Sequence, residues 1–235
     1  MKSLLKNIIF IEYLGFITMG VVLWINEVFD VPHHVLGFRK TPINWPESIL
    51  ESFMILILAS VIILLTKKLL GKIEDIAMRD PLTGLLNRRY LYEYFQYIKS
   101  TKSKRFFSFI LCDLDHFKKI NDNFGHDCGD YVLQKTAEII KSKIRPGDLA
   151  GRWGGEEFLI ILPGLEIHSA MEVAERIRLE IFDSDFSWGD ETFKISMSFG
   201  LSGSSLGDNH PCDIITYADE RLYEAKNTGR NKVVC

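Results

Sequence analysis

Two short acidic stretches carry the chemistry this chain could perform. Asp113 and Asp115 close the apolar run RFFSFILCDLD (105–115), and Glu156 and Glu157 sit inside AGRWGGEEFLIILPG (150–164). If the two runs are neighbouring strands, three or four carboxylates converge at one sheet edge. Anions that close repel one another, so the cluster calls for cations. Hard oxygen donors suit Mg²⁺ or Mn²⁺, and Mg²⁺ in such places is usually completed by substrate phosphates. Two carboxylates facing a triphosphate form a site for metal-assisted phosphoryl or nucleotidyl transfer. From periodicity alone, a polar hairpin tip with solvated acids accounts for the same residues.

The elements that must position these acids alternate between strand and helix. A helix over 87–98 precedes the buried strand 105–115, whose apolar content is continuous. HFKKINDNF continues as a helix, GHDCGD reads as a Gly-containing turn, and a second helix runs over 131–144. Gly154-Gly155 suits a two-residue hairpin turn needing positive φ. SAMEVAERIRLEIF is an amphipathic helix, ETFKISMSFGLSGSS an alternating strand, and CDIITYADERLYEAKNTG a final helix stopped by glycine. This order predicts an α/β (α+β) fold: one mainly antiparallel sheet with helices packed on it.

The first third is a different material. Residues 8–25 (IIFIEYLGFITMGVVLWI) would reach roughly 27 Å as a helix, close to a bilayer core. A second apolar run spans 49–66. Lys2 and Lys6 precede the first run, while Lys67, Lys68 and Lys72 follow the second, which places both termini in the cytoplasm and 26–48 outside. His33 and His34 in that outer loop read as solvated loop residues or as a weak metal or pH-responsive pair. Leu65, Leu69, Ile73 and Ile76 recur at spacings of four, four and three, which reads as a coiled-coil-like seam or, being short, as a plain connecting helix, on a helical stalk over 67–79. RDPLTG (79–84) breaks that helix, so a membrane region over 1–66 and a soluble domain over 80–235 are expected.

Lys and Arg number 28 against 31 Asp and Glu, a net charge of −3, so no basic surplus points to a nucleic-acid partner. Cys112, Cys128, Cys212 and Cys235 lack metal-like spacing and read as reduced thiols.

RWGGEEF (152–158), with DPLTGLLNRR (80–89), DLDHFKKINDNFGHDCGD (113–130) and ADERLYEAKNTGRN (218–231), resembles the GGDEF family of diguanylate cyclases, four motifs in the family's order. The resemblance implies a fold like nucleotide-cyclase and polymerase palm domains. It also implies a reaction that joins two GTP molecules into cyclic di-GMP with release of pyrophosphate. Asp113, the Leu114 carbonyl and Glu156 match the family's ligands for two Mg²⁺ (or Mn²⁺) ions per GTP site. Glu157 matches the acid that supports the metals and helps deprotonate the attacking 3′-hydroxyl. Asn121 and Asp130 match the guanine-reading pair, Phe117 and Lys118 the phosphate-binding turn, and Lys226 and Arg230 the cations that neutralise the triphosphate. RPGD (145–148) resembles the family's RxxD inhibitory site, with Arg145 and Asp148 holding product and Arg176 as a third contact. His116 and His126 fall in family-typical contexts, and His126 is assigned a structural hydrogen bond. Because one domain presents one GTP, the resemblance implies a homodimer, and with the two apolar runs this predicts a multi-pass protein of the bacterial inner membrane with a cytoplasmic catalytic domain. The alternative is a catalytically silent domain that senses cyclic di-GMP. A related cyclase making a mixed dinucleotide is a third reading.

Overall fold

The run FSFILCDL forms β2 (Phe107–Leu114), with all eight residues buried. In the computed structural model, which describes residues 15, 17, 20, 45–100, 106–204 and 211–235, β2 is the centre of a six-stranded sheet. The chain divides into two compact units, Met1–Asp75 and Ile76–Cys235.

In the first unit and across its boundary, α1 is one unbroken helix, Trp45–Met78. Its apolar window is Phe53–Gly71, shifted toward the C-terminus from the expected 49–66, because the helix runs on through Lys67 and Lys68 to Gly71 without a breaker. Among the described residues this is the one helix long and apolar enough to cross a membrane. The expected span over 8–25 lies outside the described residues except for Gly15, Ile17 and Gly20, which are helical. His33 and His34 also lie outside them.

In the second unit, β1 (Leu86–Asn87) and α2 (Arg88–Ser100) precede β2. After β2 come α3 (Phe117–Phe124), α4 (His126–Lys143), β3 (Leu149–Arg152), β4 (Glu157–Pro163) and α5 (Ile167–Asp183). The chain closes with β5 (Phe186–Trp188), β6 (Glu191–Phe193), β7 (Met197–Ser204), α6 (Pro211–Asn227) and β8 (Val233–Val234). The sheet order is β1-β3-β4-β2-β7-β8, antiparallel through its middle and parallel at both edges, with β5-β6 a separate hairpin.

Strand alternation explains how the sheet is covered. Ile110, Cys112 and Leu114 join a core with α3, α4 and α5, through Ile120, Val132, Ile140, Ala174 and Ile177. Phe107, Phe109 and Leu111 join a second core with α2 and α6, through Leu91, Phe95, Ala218 and Leu222. Helices therefore cover both faces. Asp113 shares parity with Phe109 and Leu111, and Glu157 shares parity with Leu159 and Ile161, so both acids face the α2/α6 side. Gly200 of β7 lets α6 approach: a Cβ there would sit 2.9 Å from Leu222 Cα and closer still to the Ala218 carbonyl. That close approach fixes where α6 carries Lys226.

Three local expectations are corrected. GHDCGD is not a turn, since α4 starts at His126, directly after Gly125 at φ 84°. Gly129 instead serves packing, because a Cβ there would collide with the Asn121 side chain. The strand expected over 191–205 breaks after Phe193 and resumes at Met197. In the gap Lys194 pairs with Asp185 at 2.8 Å and Ser196 bonds Asp115, both outside the ladder. The hairpin loop between β3 and β4 has four residues, 153–156, and neither Gly154 nor Gly155 has positive φ. A Cβ on Gly154 would displace the Glu157 carboxylate, while the same position on Gly155 opens to free space.

Candidate active site

Asp113, one residue before the end of β2, lies opposite Glu157 of β4 on one side and Ser198 of β7 on the other. Burial pushes its carboxyl up to about 6, against a relieving hydrogen bond and attraction from Lys226, with Glu156 and Glu157 adding to the rise. Lys226 Nζ lies 2.8 Å from Asp113 Oδ2. Burial also lifts Glu156, with Lys226 opposing and Glu157 reinforcing the shift. The Glu156 carbonyl accepts from the Leu114 amide at 3.3 Å, stitching the hairpin tip to the end of β2.

The tip itself is built from backbone. Trp153 and Gly154 amides donate to the Glu157 carbonyl at 2.8 and 3.3 Å. Arg152, which the sequence reading did not single out, clasps the loop from below. Its Nε and Nη2 donate to the Gly155 carbonyl at 3.0 and 2.7 Å, and its Nη1 lies 3.5 Å from Asp80 Oδ1. Asp80 in turn accepts from the Thr83 amide and hydroxyl at 2.9 and 2.8 Å, which gives DPLTG its turn. The Arg88 guanidinium sits 4.9 Å over the Trp153 ring, fixing the other side of the loop.

An open cleft of about 230 Å³ lies beside the tip, lined by Glu157, Asp219, Glu220, Leu222, Tyr223 and Lys226. Among the described residues no three His, Cys, Asp or Glu side chains converge as a metal cage. Asp115 stands apart from the other acids. It lies past the strand end and is taken up by Ser196 Oγ at 2.6 Å, Ser198 Oγ at 2.7 Å and the Asn231 amide at 3.0 Å. The remaining acids still fit a divalent cation. Two lifted carboxylates and a lysine ammonium already compensating one of them form a hard-oxygen donor set short of positive charge.

The other expected residues surround this edge. Phe117 is buried and begins α3, so only its backbone can meet a ligand, while Lys118 is exposed. His116 precedes them in the left-handed region at φ 57° and is exposed. Asn121 packs where Gly129 leaves space, bringing α3 against α4 one residue before the exposed Asp130. His126 is exposed at the start of α4. Arg230 is exposed just after α6 at φ 62°.

The RPGD stretch folds on itself. Arg145 Nε lies 3.0 Å from Asp148 Oδ1, its amide donates to Asp148 Oδ2 at 3.1 Å, and its Nη2 donates to the Pro163 carbonyl at 2.8 Å. Arg176 of α5 donates to the Lys143 carbonyl at 2.6 Å, next to that turn. All three expected residues are thus grouped around the end of α4.

Residues 77–232 match the diguanylate cyclase GGDEF domain. The chain belongs to the GGDEF diguanylate cyclase domain family. It is 41% identical over 164 residues to response regulator PleD of Caulobacter vibrioides, covering 68% of this chain and 36% of that protein. It is 40% identical over 163 residues to probable diguanylate cyclase DgcT of Escherichia coli, with the same coverage of 68% and 36%. The matched region is therefore little more than a third of either relative. The GGDEF domain of DgcB from Caulobacter crescentus, in complex with c-di-GMP, superposes with a TM-score of 0.64 at 30% identity, over 67% of this chain and 95% of that one. The active GGEEF domain of a diguanylate cyclase from Vibrio cholerae gives a TM-score of 0.59 at 38% identity, over 64% and 96%. GGDEF diguanylate cyclases generally use divalent metal ions, in keeping with the donor set around Asp113.

Proposed function

We propose that this chain is a membrane-embedded diguanylate cyclase that condenses two GTP molecules into cyclic di-GMP and two pyrophosphates. The observation that carries the reading is the meeting of Asp113, Glu156, Glu157 and Lys226 at one sheet edge beside an open cleft. The Vibrio cholerae relative is described as active with GGEEF, the motif Gly154–Phe158 repeats, so Glu at 156 is compatible with turnover.

In this reading Asn121 and Asp130 hold the guanine, Asn121 through its amide and Asp130 by accepting from the base's N–H groups. The backbone at Phe117 and Lys118 receives the phosphates at the start of α3, where the helix dipole favours anions. Asp113, the Leu114 carbonyl and Glu156 would hold two Mg²⁺ or Mn²⁺ ions, which supply charge neutralisation at the reacting phosphate. Lys226 then leaves Asp113 and, with Arg230, pairs with the triphosphate. Glu157 takes the proton from the 3′-hydroxyl of one GTP. That oxygen forms a bond to the α-phosphorus of the other while the bond to pyrophosphate breaks, and the second half repeats it.

Each domain holds one GTP, so the reaction needs two domains face to face. The homodimer is assigned to the seam at Leu65, Leu69, Ile73 and Ile76 and to membrane spans at 8–25 and 49–66, with domains 1–66, 67–79 and 80–235. The continuous helix α1, with Leu65 and Leu69 exposed, supports this assignment. The location is then the bacterial inner membrane with the catalytic domain in the cytoplasm. Arg145, Asp148 and Arg176 form the product-inhibition site. Incubating the purified full chain with GTP and Mg²⁺ and identifying products by mass tests the reading. Cyclic di-GMP is expected; linear product or unchanged GTP would favour a silent sensor, and a mixed dinucleotide from GTP plus ATP would redefine the substrate.

A further inference from the structure

The turn after α6 holds three consecutive residues in the left-handed region: Gly229 at φ 116°, Arg230 at 62° and Asn231 at 44°. Glycine accepts this freely, whereas residues with a Cβ resist it. Such a conformation persists only where the surroundings dictate it, and here the surroundings grip Asn231 from two sides. Its amide donates to Asp115 Oδ2 at 3.0 Å. Arg178 Nη1 donates to Asn231 Oδ1 at 3.0 Å and to its carbonyl at 3.3 Å.

Both gripping residues are themselves fixed. Asp115 is 5% exposed and accepts from Ser196 Oγ at 2.6 Å and Ser198 Oγ at 2.7 Å, so its oxygens cannot turn away from Asn231. Arg178 Nε lies 2.7 Å from Glu175 Oε2, one turn back on α5. The Arg230 amide donates to the Ala225 carbonyl at 2.9 Å, tying the turn to the end of α6. Neither Asp115 nor Arg178 lines the cleft beside Glu157.

We propose that Asp115 and Arg178 are positioning residues that lock Asn231 and so aim the adjacent Arg230 at the phosphates of the nucleotide. This rests on the nucleotide-binding reading of Arg230 given above. A loosened turn must be ordered anew each time substrate binds, and that entropy is taken from affinity. The chemical step uses groups on the β2 and β4 edge and keeps its geometry. The clamp therefore acts on KM and leaves kcat nearly unchanged, a split that general destabilisation of the domain would not produce.

The test uses the full chain in detergent, as Arg178→Ala, Arg178→Lys and Ser196→Ala. Without nucleotide, amide hydrogen exchange at Asn231 is expected to speed up about tenfold in Arg178→Ala. With GTP and Mg²⁺, its KM is expected to rise about tenfold while kcat stays within about threefold. Arg178→Lys keeps a charge and one donor and recovers part of both effects. Ser196→Ala removes a single bond from Asp115 and gives a smaller change in the same direction, which covers the case in which Arg178→Ala fails to fold. Unchanged exchange at Asn231 in these variants, or a fall in kcat at constant KM, overturns the proposal. If the wild-type chain turns over no GTP, the cyclase reading fails while the exchange measurement still decides the clamp.

Discussion

Replacing Asp113 with asparagine is expected to abolish activity and yet stabilise the metal-free domain. Its carboxyl is pushed from 3.8 to about 6, chiefly by burial, even with Lys226 beside it. A group harder to ionise when folded supports the fold fully below its unfolded pKa of 3.8 and loses that support as pH rises through about 6. At pH 7.5 the ionised carboxylate therefore costs about 3 kcal/mol, two pKa units at ~1.4 kcal/mol each. Asp113 is 4% exposed, so solvent screening does not reduce this much. The asparagine amide needs its own partners, which lowers the expected gain to about 1–2 kcal/mol. The assay is urea unfolding of the unit Ile76–Cys235 in EDTA, followed by tryptophan fluorescence. Both hydrophobic cores lie inside that unit, and the structure of a GGDEF domain alone, that of DgcB with c-di-GMP, is similar to it. The gap between variant and wild type should hold from about pH 8 to about pH 6 and narrow as pH falls from there to below 3.8. Mg²⁺ with a GTP analogue should invert it, because only the wild type gains binding energy. A variant less stable than wild type at pH 7.5, or a gap of equal size at both pH extremes, would refute the reasoning.

Other perturbations follow from particular contacts. Arg145→Ala leaves Asp148, whose side chain is 3% exposed, without its guanidinium partner, and should raise the cyclic di-GMP concentration needed for half-inhibition about tenfold or more. Unchanged inhibition in a turnover assay would count against the site. Gly200→Ala forces α6 away from β7 and should cost about 1–3 kcal/mol in urea unfolding, with a raised KM for GTP because Lys226 moves with the helix. Arg152→Ala removes two bonds to the Gly155 carbonyl and the contact to Asp80, and should lower kcat with a stability loss of about 1–3 kcal/mol. A kcat equal to wild type would show that the tip holds its shape without the clasp.

What could be read from the sequence was local pattern. The continuous apolar run of β2, the amphipathic α5 and the glutamates on the β4 hairpin all stand in short windows, and the structure places them as expected. Features set by partners far along the chain were not legible. Asp115 looked like a fourth active-site acid because its serine partners lie 81 and 83 residues away. Nothing in its own window marked Arg152, because Asp80 is 72 residues upstream. Glycine misled for a related reason: Gly129 and Gly200 are crowded by what packs against them, whereas positive φ falls at other glycines, Gly125 and Gly229 among them. The same ambiguity lengthened the strand at 191–205, where alternation continued through residues 194–196 although their bonds leave the sheet.

In the proposed reaction Asp113 exchanges Lys226 for metal when nucleotide binds. Anomalous diffraction from crystals of the domain grown with Mn²⁺ and a non-hydrolysable GTP analogue measures this directly. A manganese peak within about 2.3 Å of carboxylate oxygens of both Asp113 and Glu156, with Lys226 moved onto the triphosphate, is the predicted result. Bound nucleotide with no peak at those carboxylates, and Lys226 still 2.8 Å from Asp113, would contradict it.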